Sequence, residues 1–140
     1  TSVAAPNGET ITYSYNGVFM TLATTTGAVS GGVQRGYDQY FQPSGSTLWV
    51  NGNFSDVLFT NDLDGLLKQV TAGAGYEYLT HDPVNGLLTA TSLNVVSDAL
   101  DYDGYGALQD YAASANSAPI FSDQFTTRDN LGTFLKKLRH

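Results

Sequence analysis

The sequence predicts a mainly β fold: an antiparallel, hairpin-rich sandwich or open barrel with one or two short helices, formed as a single domain over residues 1–140. Three observations carry this. Asn-Gly pairs stand at Asn16-Gly17, Asn51-Gly52 and Asn85-Gly86, each in or beside β-prone sequence. Such a pair supplies the two positive-φ positions of a type I′ hairpin turn. Apolar and polar residues alternate at Thr10-Ile11-Thr12-Tyr13-Ser14-Tyr15, the two-residue period of a half-buried strand. Charged residues make up only 14% of the chain, so Thr, Ser, Gly, Asn and Gln must cover much of the surface.

The first hairpin is expected between Ile11–Tyr15 and Val18–Leu22, turning at Asn16-Gly17. A glycine-rich loop follows at 27–32, then an aromatic strand over 34–42 that Pro43-Ser44-Gly45 ends. The second hairpin joins 46–50 to 53–60 through Asn51-Gly52. A short helix is expected next, capped by Asn61 or Asp62, with Leu63, Leu66, Leu67 and Val70 at helical spacing. A third hairpin pairs 76–80 with 87–96 across Asn85-Gly86. From Ser97 to Ser117 the signals conflict: a helix over Asp98 to Ala113 is one reading, but Gly104 and Gly106 weaken it and the aspartates suit a loop. The chain closes on a C-terminal amphipathic helix, with Thr126 and Asp129 resembling a capping box and Leu131, Phe134, Leu135 and Leu138 as one apolar stripe. The Asn-Gly pairs recur at 35 and then 34 residues, which invites a threefold repeat. The sequences around the turns do not match, so chance spacing of a common turn is the better reading.

Charge divides the chain. Residues 1–127 hold twelve acidic groups against Arg35 and Lys68, a net of −10, while the last 13 residues carry +3, giving the overall −7. An acidic body repels nucleic acid, because affinity for it comes largely from neutralising phosphates. Only the basic C-terminal tail could touch nucleic acid or an acidic neighbour. No cysteine is present, which excludes disulfides, thiol catalysis and Cys-ligated metals. No apolar run reaches the roughly 18 residues of a membrane helix, and Thr1–Pro6 has neither the basic nor the hydrophobic part of a signal peptide. The small first residue fits removal of an initiator methionine or of an upstream peptide.

Three constellations bear on chemistry. Eleven aspartates stand against two glutamates, and Asp101-Tyr102-Asp103-Gly104-Tyr105-Gly106 has part of a calcium-loop pattern. Its twelfth position is Ala112, so the closing carboxylate is missing, and Asp98, Asp101 and Asp103 remain only weak metal candidates. No cofactor is expected, and an acidic turn explains the cluster more simply. His81 beside Asp82 is the sole internal histidine, but adjacent strand residues point to opposite faces, so Asp82 would orient it poorly. Nine tyrosines and one tryptophan suggest an aromatic platform for carbohydrate, with Tyr37, Tyr40 and Trp49 as its members. The resulting expectation is a non-enzymatic, self-assembling structural protein of a virion or extracellular surface structure, a homo-oligomer docked through Leu131, Phe134, Leu135 and Leu138. The alternatives are an extracellular carbohydrate-binding module, with or without calcium, and a small β-rich enzyme using His81 or an aspartate pair.

Overall fold

The computed structural model describes residues 1–6, 8–128 and 134–139, with side chains described up to Phe125. Among these residues the fold is antiparallel β, with thirteen strands and no helix. The chain divides into two compact units, residues 1–61 with 70–74, and residues 62–69 with 75–140.

The first unit holds β1 (Ser2–Ala4), β2 (Thr10–Asn16), β3 (Phe19–Thr26), β4 (Gly31–Tyr37), β5 (Pro43–Val50) and β6 (Asn53–Asn61). Each pairs antiparallel with its neighbour in the chain. The following strand, β7 (Leu67–Ala72), contributes 70–72 to this unit and 67–69 to the second. The second unit continues with β8 (Gly75–His81), β9 (Leu88–Leu93), β10 (Val96–Tyr102), β11 (Leu108–Ala115), β12 (Ala118–Arg128) and β13 (Phe134–Arg139). These too pair antiparallel in chain order.

The three Asn-Gly pairs meet different fates. Asn51-Gly52 forms the expected turn: both residues have positive φ (49° and 82°), and Val50 pairs with Asn53. At the first hairpin the strands pair as expected, but the turn moves by one residue. Asn16 pairs with Phe19, so Gly17 and Val18 are central, and only Gly17 (φ 60°) is left-handed. A bulge between Ser14 and Tyr15 absorbs the offset. Asn85-Gly86 is no two-residue hairpin, because it lies inside a longer loop held by Asp82. The tight turns of the second unit come instead at 94–95 and 116–117.

The expected helix over 63–70 is absent. Asp62 does accept from nearby amides, as an N-cap would, but Gly65 at φ 83° reverses the chain after one turn. Leu63, the first residue of the supposed apolar stripe, is fully exposed, and Leu67 opens β7. An N-cap and an aspartate-held turn share the same local bonds, which is why the sequence pattern misleads here. The ambiguous 98–113 segment forms β10 and β11 around a turn. The C-terminal helix was expected on residues of which 129–133 and 140, including Leu131, lie outside the described set. The backbone carrying Phe134, Leu135 and Leu138 runs as β13 against β12.

Candidate functional site

Two features of the sheet bear on function: a series of aspartate-held loops and a contrast between faces. The loops come first. Asp38 Oδ1 accepts from the amides of Tyr40 (2.8 Å) and Gln42 (2.9 Å). Asp62 does the same for Asp64 (3.0 Å) and Leu66 (2.9 Å), and Asp103 for Tyr105 and Ala107 (both 2.9 Å). In each, the aspartate amide donates to the carbonyl four residues on, closing a five-residue loop. Asp82 makes the same kind of loop with one more residue, bonding Val84 and Asn85. The fourth position carries positive φ at Gly65 and Gly106, and at Phe41 in the first loop. An aspartate recurring at 38, 62, 82 and 103, mostly with glycine three or four residues on, was legible in the sequence. The Asn-Gly spacing drew attention to the wrong period.

Of the three aspartates expected as weak metal ligands, one belongs to these loops. Asp103 is committed to its loop. Asp98 accepts from Thr91 Oγ1 and from the Tyr111 hydroxyl, both at 3.1 Å. Asp101 pairs with Asp110, and it lies on the face opposite Asp98, three residues back on β10. The three are therefore not brought together, and among the described residues no group of three metal-binding side chains forms. His81 does line a cleft of about 380 Å³ with Asp62, Asp64 and Asp82. The Asp82 carboxylate points its Oδ1 into its own loop amides, as does Asp62.

Nor do the three aromatic candidates form one platform. Tyr37 is half-buried, donates its hydroxyl to the Met20 carbonyl (3.2 Å) and sits 4.9 Å from the Phe19 ring. It lines a cleft of about 490 Å³ with Phe19, Phe41 and Arg35, whereas Tyr40 projects from its loop, 73% exposed. Trp49 lies opposite Gly32, five residues along β4 from Tyr37, or about 17 Å at strand rise. Its ring covers Gly32, where a Cβ would meet the indole at 2.5 Å. Trp49 pairs instead with Phe54, the rings near parallel at 25° with centroids 6.4 Å apart.

The pairing register sorts the faces. In the first unit one face carries Val3, Ile11, Thr25, Gly31, Val50 and Asn53 in one row and Tyr13, Ala23, Val33, Leu48 and Ser55 in the next. The other face carries Thr12, Thr24, Gly32, Trp49 and Phe54, then Ser14, Leu22, Gln34, Thr47 and Asp56. In the second unit Leu79, Ala113 and Phe121 share a face with Leu93, Val96, Leu100 and Tyr111. Opposite lie Ser92, Ser97 and Ser114 with Ala90, Ala99 and Ala112. On the apolar face of the second unit sits the Thr91–Asp98–Tyr111 network, where the hydrogen bond to Asp98 raises the tyrosine pKa above its ordinary 10.0, with burial adding to it. Yet no apolar side chain among the described residues is buried on either unit.

No family model and no curated protein matches the chain. Among solved structures it is similar to a chain in the crystal structure of TcdB2-TccC3-Cdc42, with a TM-score of 0.77 at 16% identity over 95% of the residues. It spans 7% of that much longer chain. At this identity the likeness shows the fold.

Proposed function

We propose that the chain is a non-enzymatic structural module, a sheet whose apolar face is completed by another copy of itself in an assembly. A virion or an extracellular surface structure is the setting that the lysine-poor, thiol-free composition favours. The observation that carries the reading is the missing core. Alternation gathers much of the Val, Ile, Leu and Tyr of each unit on one face, and no apolar side chain among the described residues is buried. A second layer over this face would supply the sandwich that the sequence suggests. The likeness to a small part of a much longer chain is in keeping with a sheet used as a building segment. The +3 C-terminal residues against the −10 remainder give copies of the chain a complementary charge.

The test is solution mass by light scattering at increasing protein concentration. The unmodified chain is expected to be oligomeric. Leu48→Lys together with Val33→Lys, placing charges in the centre of the apolar face, is expected to give a smaller species with unchanged strand content by circular dichroism. A monomeric mass for the unmodified chain at high concentration and moderate salt overturns the proposal.

A further inference from the structure

We propose that the other face of the first unit is a binding site for a neutral oligosaccharide, centred on Trp49 and Phe54. Cross-strand pairing lines up Thr12, Thr24, Gly32, Trp49 and Phe54 in one row, perpendicular to the strands. Across β2–β6 this row spans roughly 19 Å at about 4.8 Å per strand. Because Gly32 has no side chain, the Trp49 indole lies down over its backbone instead of standing off the sheet. The indole thereby takes the space that a side chain at position 32 would fill, and it stays part-exposed. Phe54, paired with Trp49 and 70% exposed, extends the aromatic surface: at 6.4 Å and 25° the two rings are offset, not face to face. A pyranose presents an apolar C–H face to such a surface, and its equatorial hydroxyls project sideways to hydrogen-bonding groups.

Those groups are in place. The next row along the strands holds Gln34, Thr47 and Asp56, with the Thr47 hydroxyl donating to Asp56 at 2.6 Å. Beyond it, Gly36 faces Gly45, and the two missing side chains leave a furrow of about 220 Å³ lined also by Gln34, Ser44, Thr47 and Leu58. The site thus combines flat aromatic surface, amide and hydroxyl groups, and a shallow trough beside them, on strands held by a full ladder. The only acidic group in these rows is Asp56, and the first unit holds Glu9, Asp38 and Asp56 against Arg35 alone, so it offers no basic cluster to a polyanionic glycan or nucleic acid. A neutral chain needs none. A docked second copy is the competing occupant, but it better suits the opposite face, where Tyr13, Ala23, Val33 and Leu48 form an apolar row across four strands.

Trp49 is the sole tryptophan, so its emission reports on this site alone. The full chain is titrated with cellohexaose, maltohexaose and chitohexaose while Trp49 fluorescence is recorded. A saturable change with at least one of them is expected. Phe54→Thr, which keeps strand propensity, is expected to weaken that binding at least tenfold, and Tyr76→Thr, in the second unit, to leave it unchanged. No saturable change with any hexasaccharide at millimolar concentration overturns the site, as does equal affinity in Phe54→Thr. An emission shift that follows protein concentration without sugar would assign the face to a second copy and overturn it equally.

Discussion

The loops at 38–42 and 103–107 are built on one plan, keep Asp at the first position and Tyr at the third, and differ most tellingly at the fourth. In both, the aspartate carboxylate accepts from the amides two and four residues on, and the backbone closes at 2.9 Å. In the second loop the left-handed fourth position is Gly106 (φ 78°); in the first it is Phe41 (φ 63°), whose ring stacks on Phe19 at 5.3 Å and 3°. The carboxylate is thus the constant part of the device. The glycine is replaceable where a side chain finds a partner that offsets the strain.

Removing the constant part has the largest expected effect. Asp103→Ala strands two loop amides, and each bond to a charged acceptor is worth about 1.5–3 kcal/mol. We expect a loss of about 2–3 kcal/mol in urea unfolding for Asp103→Ala and for Asp38→Ala alike. If only one of the two is sensitive, the loops are not equivalent. Changing the variable part should separate them. Gly106→Ala places a Cβ at φ 78° and is expected to cost about 1–2 kcal/mol. Phe41→Gly relieves similar strain but loses the Phe19 contact, worth about 0.5–1.5 kcal/mol, and stiffness in the unfolded chain. Its net effect should be near zero, and a large loss would show the stacked pair, not the carboxylate, to be holding that loop.

The smallest expected effect concerns the faces. The apolar face of the second unit carries the Asp98–Tyr111 hydrogen bond. Because that bond raises the tyrosine pKa in the folded state, its contribution is fully present below the unfolded value of 10.0 and is lost as pH rises through the folded pKa. Tyr111→Phe should therefore flatten the alkaline limb of the stability profile above about pH 10 and leave the neutral region's slope unchanged. An identical alkaline limb in the variant would show the bond to be absent in solution.

Much of the fold was legible because it is local. Alternation over 10–15, the strand at 76–80 and the Asn51-Gly52 turn follow from side-chain period and positive-φ preference, which operate within a few residues. The same locality explains the errors. Asp62 with Leu63, Leu66 and Leu67 satisfies a helix start and an aspartate-held loop equally, and only the reversal at Gly65 decides between them. The candidate site was half legible: Trp49 could be named as an aromatic of interest, but its partner could not. That Trp49 meets Phe54 over Gly32, while Tyr37 turns to Met20 and Phe19, depends on strand register. Register is a long-range property, since one residue of slip moves every side chain to the other face. The sequence by itself determined that this chain makes antiparallel hairpins, with one turn, Asn51-Gly52, at the residues it marks. Where the other turns fall, which face each side chain joins, and that no apolar side chain among the described residues is buried, were decided only when the strands paired.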